Sequence, residues 1–173
     1  MKALFLIFHG FNPPNGISKK IQYQVDALQA CGVDKKVFYM REPAGRKLRM
    51  IDSEILRDYG TGIKGKILKR IEYSSIVEYV RKEGIDLVYM RSDNNANPFT
   101  LHMVWQMRKN HVKVVMEIPT YPYDQEYIGF SRKATLLIDK CFRHTLAKRL
   151  SGVITFSDYQ TIFGSRTIQI SNG

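Results

Sequence analysis

Short apolar runs alternate along this chain with longer stretches in which apolar residues recur every third or fourth position. Runs at 3–8, 36–40, 86–90, 113–117, 152–156 and 167–170 have the length and Val/Ile/Leu content of buried strands. Between them, residues 18–30, 66–82, 99–110, 133–150 and 159–163 have helical spacing. Ile21, Val25 and Leu28 form one stripe, with Gly32 as a stop. Leu137, Ile138, Cys141, Phe142 and Leu146 form another, with Arg132, Lys133, Lys140 and Arg143 to its side. Strand–helix alternation predicts an α/β fold, a parallel sheet of about six strands with helices on both faces, as one domain over residues 1–173. Residues 41–61 carry no clear period and read as loop with at most a helical turn. The last predicted strand runs into Ser171-Asn172-Gly173, a turn signal that expects more chain, with a natural end as the alternative.

Three strand ends carry polar or glycine-rich segments. In open α/β sheets ligands bind beyond the carboxyl ends of the strands. After Val112, Val114, Val115 and Met116 comes Glu117-Ile118-Pro119-Thr120-Tyr121-Pro122-Tyr123-Asp124-Gln125-Glu126-Tyr127. Two prolines stiffen this loop while tyrosines and carboxylates crowd it, so it is a binding wall or a stiff cover for the sheet. After the first strand, His9-Gly10-Phe11-Asn12-Pro13-Pro14-Asn15-Gly16-Ile17-Ser18 leads to Lys19 and Lys20. Glycine there lets a ligand approach, and a helix N-terminus offers N–H groups to phosphate or sugar oxygens. The plain reading is a turn with Ser18 as cap. Arg91-Ser92-Asp93-Asn94-Asn95-Ala96-Asn97-Pro98 either hydrogen-bonds a sugar or caps the next helix.

Gly60-Thr61-Gly62-Ile63-Lys64-Gly65 matches the dinucleotide fingerprint GxGxxG by letter. It follows charged residues 52–59, which suit a helix or loop rather than a buried strand, so it predicts a mobile basic loop and not a nucleotide site. No metal-ligand spacing, nucleophile elbow or P-loop occurs, and neither a metal nor a cofactor is expected.

Charge narrows the partners. Lys and Arg number 27 against 16 Asp and Glu, a net +11, clustered at 41–49, 64–70 and 132–149 among apolar residues. Such an excess suits a phosphorylated substrate, an anionic membrane face or nucleic acid, but no nucleic-acid-binding module is recognisable. No apolar run nears the ~20 residues of a membrane helix. The opening run lacks a signal-peptide cleavage site and reads as a strand. Cys31 and Cys141 sit in predicted helical stripes, suiting buried thiols in a reducing cytoplasm.

Several of these segments resemble one family in order and spacing. Asn15-Gly16-Ile17-Ser18-Lys19-Lys20-Ile21, with Val25-Asp26-Ala27-Leu28 and Gly32, resembles the glycine loop and first helix of bacterial GT-B glycosyltransferases. Leu87-Val88-Tyr89-Met90-Arg91 and the segment from Val114 to Tyr127 are similar to the middle of family 4 members that build surface polysaccharides. Gly152-Val153-Ile154-Thr155-Phe156-Ser157 and Ile168-Gln169-Ile170-Ser171-Asn172-Gly173 resemble the strands before the interdomain crossing. The resemblance is weakest over 41–82. It implies a Rossmann-like, acceptor-binding N-terminal half of a retaining, metal-independent, two-domain enzyme in polysaccharide biosynthesis. The nucleotide-sugar donor would be held mainly by a C-terminal half carrying Glu-x7-Glu. Asn15 and Gly16, with Lys19 beside them, would then shape the cleft. Tyr121, Tyr123, Asp124 and Glu126 would contact a saccharide or lipid-linked acceptor, and Glu117 would anchor loop or acceptor. The family's paired glycine is here Gly16 alone, and its strand-end histidine is replaced by Glu117, so no catalytic residue is assigned. The implied setting is cytoplasmic, with peripheral contact on the inner membrane face through the basic helices, and without nucleic acid. A non-enzymatic sugar- or partner-binding domain and a basic nucleic-acid-binding module are the competing classes.

Overall fold

The apolar opening run becomes strand β1 (Lys2–Gly10), with Ala3, Leu4, Phe5, Leu6 and Ile7 all buried, as a parallel strand covered on both faces requires. The computed structural model describes residues 1–11, 16–91 and 96–171. Among them the chain forms nine strands and five α-helices in an α/β arrangement, divided into two compact units, Met1–Tyr89 and Met90–Gly173. Asn15, the 92–95 stretch of the polar loop, and Asn172-Gly173 lie outside the described residues.

In the first unit β1 pairs in parallel with β2 (Asp34–Arg41), from Lys2 opposite Asp34 to Leu6 opposite Phe38. Helix α1 (Gly16–Ala30) connects them and packs Ile21 and Val25 against Phe5, Ile7 and Val37. Residues 41–61 are not the expected loop. They form a three-residue 3-10 turn (Pro43–Gly45) and an antiparallel hairpin of β3 (Leu48–Ile51) and β4 (Glu54–Asp58), with β3 also antiparallel to β2. Asp52 closes the hairpin: its carboxylate accepts from the Val37 amide at 2.9 Å, and its carbonyl from the Tyr39 hydroxyl at 2.7 Å. The hairpin escaped the apolar pattern because a charged residue, Arg49, occupies a fully buried strand position.

Arg49 is accommodated by its partners. Phe38, Tyr59 and Tyr73 surround its guanidinium at 5.4, 5.0 and 5.2 Å, contacts that favour a cation over an aromatic face. It donates to the carbonyls of Lys69 at 2.9 Å and Glu72 at 2.5 Å, at the end of helix α2 (Gly62–Ile71), where a cation suits the helix dipole. Glu72 separates α2 from α3 (Ser74–Lys82), so the single helix expected over 66–82 is two. Its carboxylate accepts from Tyr59, Ser74 and Ser75 side chains and from the Ser75 amide at the start of α3. The letter match at Gly60–Gly65 finds a structural cause. A Cβ on Gly65 would lie 2.8 Å from the Gly60 carbonyl oxygen, and Gly60 and Gly62 have φ of +75° and +68°. The segment is the tight entry to α2, not the expected mobile loop.

In the second unit α4 (Pro98–Lys109) starts at Asn97, whose side chain accepts from the amides of Phe99 and Thr100, the capping alternative of the two readings of that segment. Strands β6 (Lys113–Ile118) and β7 (Gly152–Thr155) run parallel, with Glu117 opposite Ile154 and Ile118 opposite Thr155. Helix α5 (Phe130–Arg149) connects them. Strand β9 (Ser165–Gln169) extends β7 in parallel, and β8 (Thr161–Ile162) pairs antiparallel with β9. The helix expected at 159–163 is therefore absent: Phe163 and Gly164, both at positive φ, turn the chain into a hairpin. The strand pairing is mixed rather than all parallel, because the hairpins at 48–58 and 161–169 add antiparallel strands. Strand β5 (Leu87–Arg91) spans the boundary between the units in sequence. Both cysteines are exposed, against the expectation of buried thiols.

Gly65→Ala is expected to destabilise the fold by about 1–3 kcal/mol in urea denaturation, because the opposing atom is backbone and cannot swing aside. Burial alone would raise the Glu72 carboxyl, but hydrogen bonds from Ser74, Tyr59 and Ser75 outweigh it and lower it from 4.5 to about 2. A lowered carboxyl stabilises the fold fully above its unfolded value, and that contribution disappears as pH falls toward the folded value. Melting temperature should therefore decline from about pH 4.5 to about pH 2, and Glu72→Gln should flatten that decline.

Candidate functional site

Two parallel strands of the second unit, β6 and β7, end at the same level, so the segments that follow them emerge at one edge. The most buried charge there is Glu117, 0% exposed, whose Oε1 lies 3.0 Å from Nη1 of Arg91, the last residue of β5. Replacing such a pair by hydrophobic residues of similar volume would often leave stability unchanged or improved, so stability alone does not account for it. The Thr155 hydroxyl, at the end of β7, hydrogen-bonds the Ser157 hydroxyl at 2.8 Å. Glu117 was expected as a polar anchor. Its partner Arg91 opens the polar segment expected either to hydrogen-bond a sugar or to cap the next helix; its pairing with Glu117 was not expected.

Beyond β6 the tyrosine loop divides by role. Tyr121 is half-buried and meets Tyr159 edge-on at 4.9 Å and Phe163 at 5.4 Å. Tyr159 is 48% exposed. Together these two tyrosines offer partly exposed aromatic surface at the ends of β6 and β7. Tyr159 was missed because its segment was read as a helix. Tyr123 differs from expectation: it is 3% exposed, its ring lies against Phe163, and its hydroxyl donates to Asp139 at 2.7 Å. It anchors the loop rather than presenting a face to a ligand. Asp124 is held by Arg143 at 2.7 Å and Lys140 at 3.0 Å. Glu126 is exposed in a short 3-10 turn, Asp124–Glu126.

Asp139 organises this region. The carboxylate is buried and accepts from the Ala96 amide at 2.8 Å as well as from Tyr123. It rotates α5 away from the expected stripe: Leu136, Asp139, Leu146 and Ala147 face inward, while Leu137, Ile138 and Cys141 are exposed. An acid inside Leu136-Leu137-Ile138-Asp139 was the available signal, since an acidic residue amid helical apolar positions must either break the stripe or find buried donors. Burial raises the Asp139 carboxyl above its ordinary value despite hydrogen bonds from Tyr123 and Ala96, and raises the Tyr123 hydroxyl with help from the Asp139 charge. The Arg143 hydrogen bond lowers the Asp124 carboxyl. Burial by itself would lower the Arg143 guanidinium, but the Asp124 hydrogen bond and the nearby Asp124, Tyr123 and Asp139 groups outweigh it and raise it. Tyr123, Asp139, Arg143, Met116, Ile118 and Phe163 line a cavity of about 20 Å3, room for about one water and too small for a sugar ring.

The remaining candidates belong to the first unit. Gly16 is the exposed first residue of α1, and among the described residues a Cβ there would meet nothing within 4 Å. Lys19 is exposed, with its ammonium 5.8 Å from the Tyr23 ring centre. Among the described residues no group of three His, Cys, Asp or Glu side chains is placed to hold a metal ion, and no helix is long and apolar enough to cross a membrane. No protein-family model matches the chain, nor does any curated protein or solved structure.

Asp139→Ala would strand the Tyr123 hydroxyl and the Ala96 amide in the interior, so it should cost about 2–4 kcal/mol in denaturant unfolding. Asp139→Asn keeps one acceptor oxygen, for the Ala96 amide, and turns its NH2 toward Tyr123, whose hydroxyl can accept from it instead. It should therefore cost less than the alanine variant, about 1 kcal/mol. Equal losses for the two variants would show that charge, not hydrogen bonding, holds the loop.

Proposed function

We propose that the chain is the acceptor-binding half of a retaining GT-B glycosyltransferase, a Rossmann-like N-terminal half of a two-domain enzyme. It would direct sugar from a nucleotide-sugar onto a saccharide or lipid-linked acceptor. The observation that carries this reading is the pair of half-buried Tyr121 and exposed Tyr159 at the ends of parallel strands β6 and β7, with Glu126 exposed on the same loop. Tyrosine rings suit the apolar face of a pyranose, and a carboxylate accepts from its hydroxyls. The resemblance of the glycine segment, of the stretch after β6 and of the last strands to family 4 members supports it further. Beneath the loop, the Arg91–Glu117 pair and the Asp139 hydrogen bonds supply the rigidity that sugar recognition needs.

Within this reading Tyr121 and Glu126 contact the acceptor, while Tyr123 and Asp124 hold the loop on α5. Gly16, exposed at the start of α1, would let substrate approach the backbone closely.

The test is transfer of labelled sugar from a panel of nucleotide-sugars by the full-length protein, with saccharide and polyprenyl-phosphate acceptors. Tyr121→Ala should raise acceptor KM by about fivefold or more while leaving donor KM unchanged. Gly16→Ala should lower kcat/KM without lowering the melting temperature. A stop codon directly after Gly173, or an unchanged acceptor KM in Tyr121→Ala, would overturn the assignment.

A further inference from the structure

Helix α2 is mounted with its apolar stripe facing solvent. Ile63, Ile67 and Ile71 recur every fourth residue and are 76%, 52% and 37% exposed. Gly65, on the opposite face, is the helix's buried residue. Two contacts prevent the helix from rolling to hide the isoleucines. Gly65 lies so close to Gly60 that no side chain fits between them, and Arg49 holds the helix end through the carbonyls of Lys69 and Glu72. A surface helix ordinarily buries its apolar stripe; this one exposes it on a fixed mount.

The helix's own charges are all of one sign. Residues 62–71 include Lys64, Lys66, Lys69 and Arg70 and no acid. Lys69 pairs with Glu42 at 2.7 Å, whereas Lys64, Lys66 and Arg70 are exposed beside the isoleucines. Three apolar side chains flanked by exposed cations are the surface that an interface between acyl chains and anionic headgroups accepts. We infer that α2 docks this protein on an anionic lipid bilayer, with Ile63, Ile67 and Ile71 entering the headgroup–acyl boundary and Lys64, Lys66 and Arg70 on the phosphates.

Other occupants fit less well. A second copy of the chain would set the same cations against one another. Nucleic acid would satisfy the cations but gain nothing from the isoleucines, since its affinity comes chiefly from phosphate contacts. Helix α5 also exposes apolar residues, Phe130 and Leu137 among them, beside the exposed cations Arg132 and Lys133, but Lys140 and Arg143 are engaged by Asp124. Among the described residues no backbone contact like that of Gly65 fixes its exposed face, so the isoleucine variant of α2 is the arm that separates the two helices. By its exposed isoleucines, α2 narrows to one helix the membrane contact that the family resemblance implies. Vesicle binding is read without sugar transfer, so its failure and that of the transferase reading are distinguishable.

Vesicle flotation of the whole chain tests it without any activity assay. Vesicles of phosphatidylcholine with phosphatidylglycerol should carry the protein, and vesicles of phosphatidylcholine alone should not. Ile63→Ser/Ile67→Ser should weaken binding by about tenfold or more, and Lys64→Gln/Lys66→Gln/Arg70→Gln should do so while flattening its salt dependence. Because these side chains are exposed, both variants should keep the parent circular dichroism and melting temperature. Undiminished vesicle binding by a folded isoleucine variant would overturn the assignment and transfer it to α5 or to diffuse charge. Absence of vesicle binding by the parent, with or without salt-sensitive binding to DNA, would overturn it outright.

Discussion

Asp139 must be satisfied inside the second unit, and much of that unit's candidate site follows from how this happens. A buried carboxylate without donors would cost several kcal/mol, so the helix carrying it has to bring it to an amide and a hydroxyl. The Ala96 amide and the Tyr123 hydroxyl meet that need from two segments distant in sequence. The rotation of α5, the burial of Tyr123 and the approach of Asp124 to Arg143 are linked to this one requirement. With Tyr123 committed to the interior, Tyr121 stays half-buried and Thr120, Pro122, Gln125 and Glu126 stay exposed.

The first unit contains a parallel case with the opposite charge. Arg49 is buried in β3, and the carbonyls at the end of α2 together with three aromatic rings make its burial tolerable. Glu72 completes the joint by accepting from Tyr59 and from the start of α3. In both units a buried charge decides which way a helix faces, and an apolar stripe that could have been buried is left outside. Burial of apolar area is nondirectional, whereas the hydrogen bonds of a buried ion have direction. Where the two compete, the ion sets the rotation.

The parallel strands were legible because buried strands of this kind read as continuous apolar runs; Ala3 to Ile7 and Val114 to Met116 left little choice. The end of α1 near Gly32 and the cap of α4 at Asn97 were legible because glycine and asparagine act there through local geometry. The hairpin of β3 and β4 was not, because Arg49 disguised a buried position. The break between α2 and α3 was missed for a related reason: Glu72 looks like any helix residue until its carboxylate is seen serving the next helix. Glu117 and Tyr121 could be singled out from their place at a strand end. Arg91, Asp139 and Tyr159 acquired their significance only from neighbours.

The sequence by itself determined an α/β chain, the strands it would bury, and the rigid loop after β6, since each rests on periodicity or on residues that act locally. It also determined the positive charge and its clustering. The tertiary structure decided which face of α2 and of α5 is inward, which tyrosine is an anchor and which is surface, and where antiparallel hairpins enter the pairing. The facing of α5 and the burial of Tyr123 depend on partners 16 and 43 residues apart, and the facing of α2 on partners 20 and 23 residues apart, a pairing that no local pattern encodes.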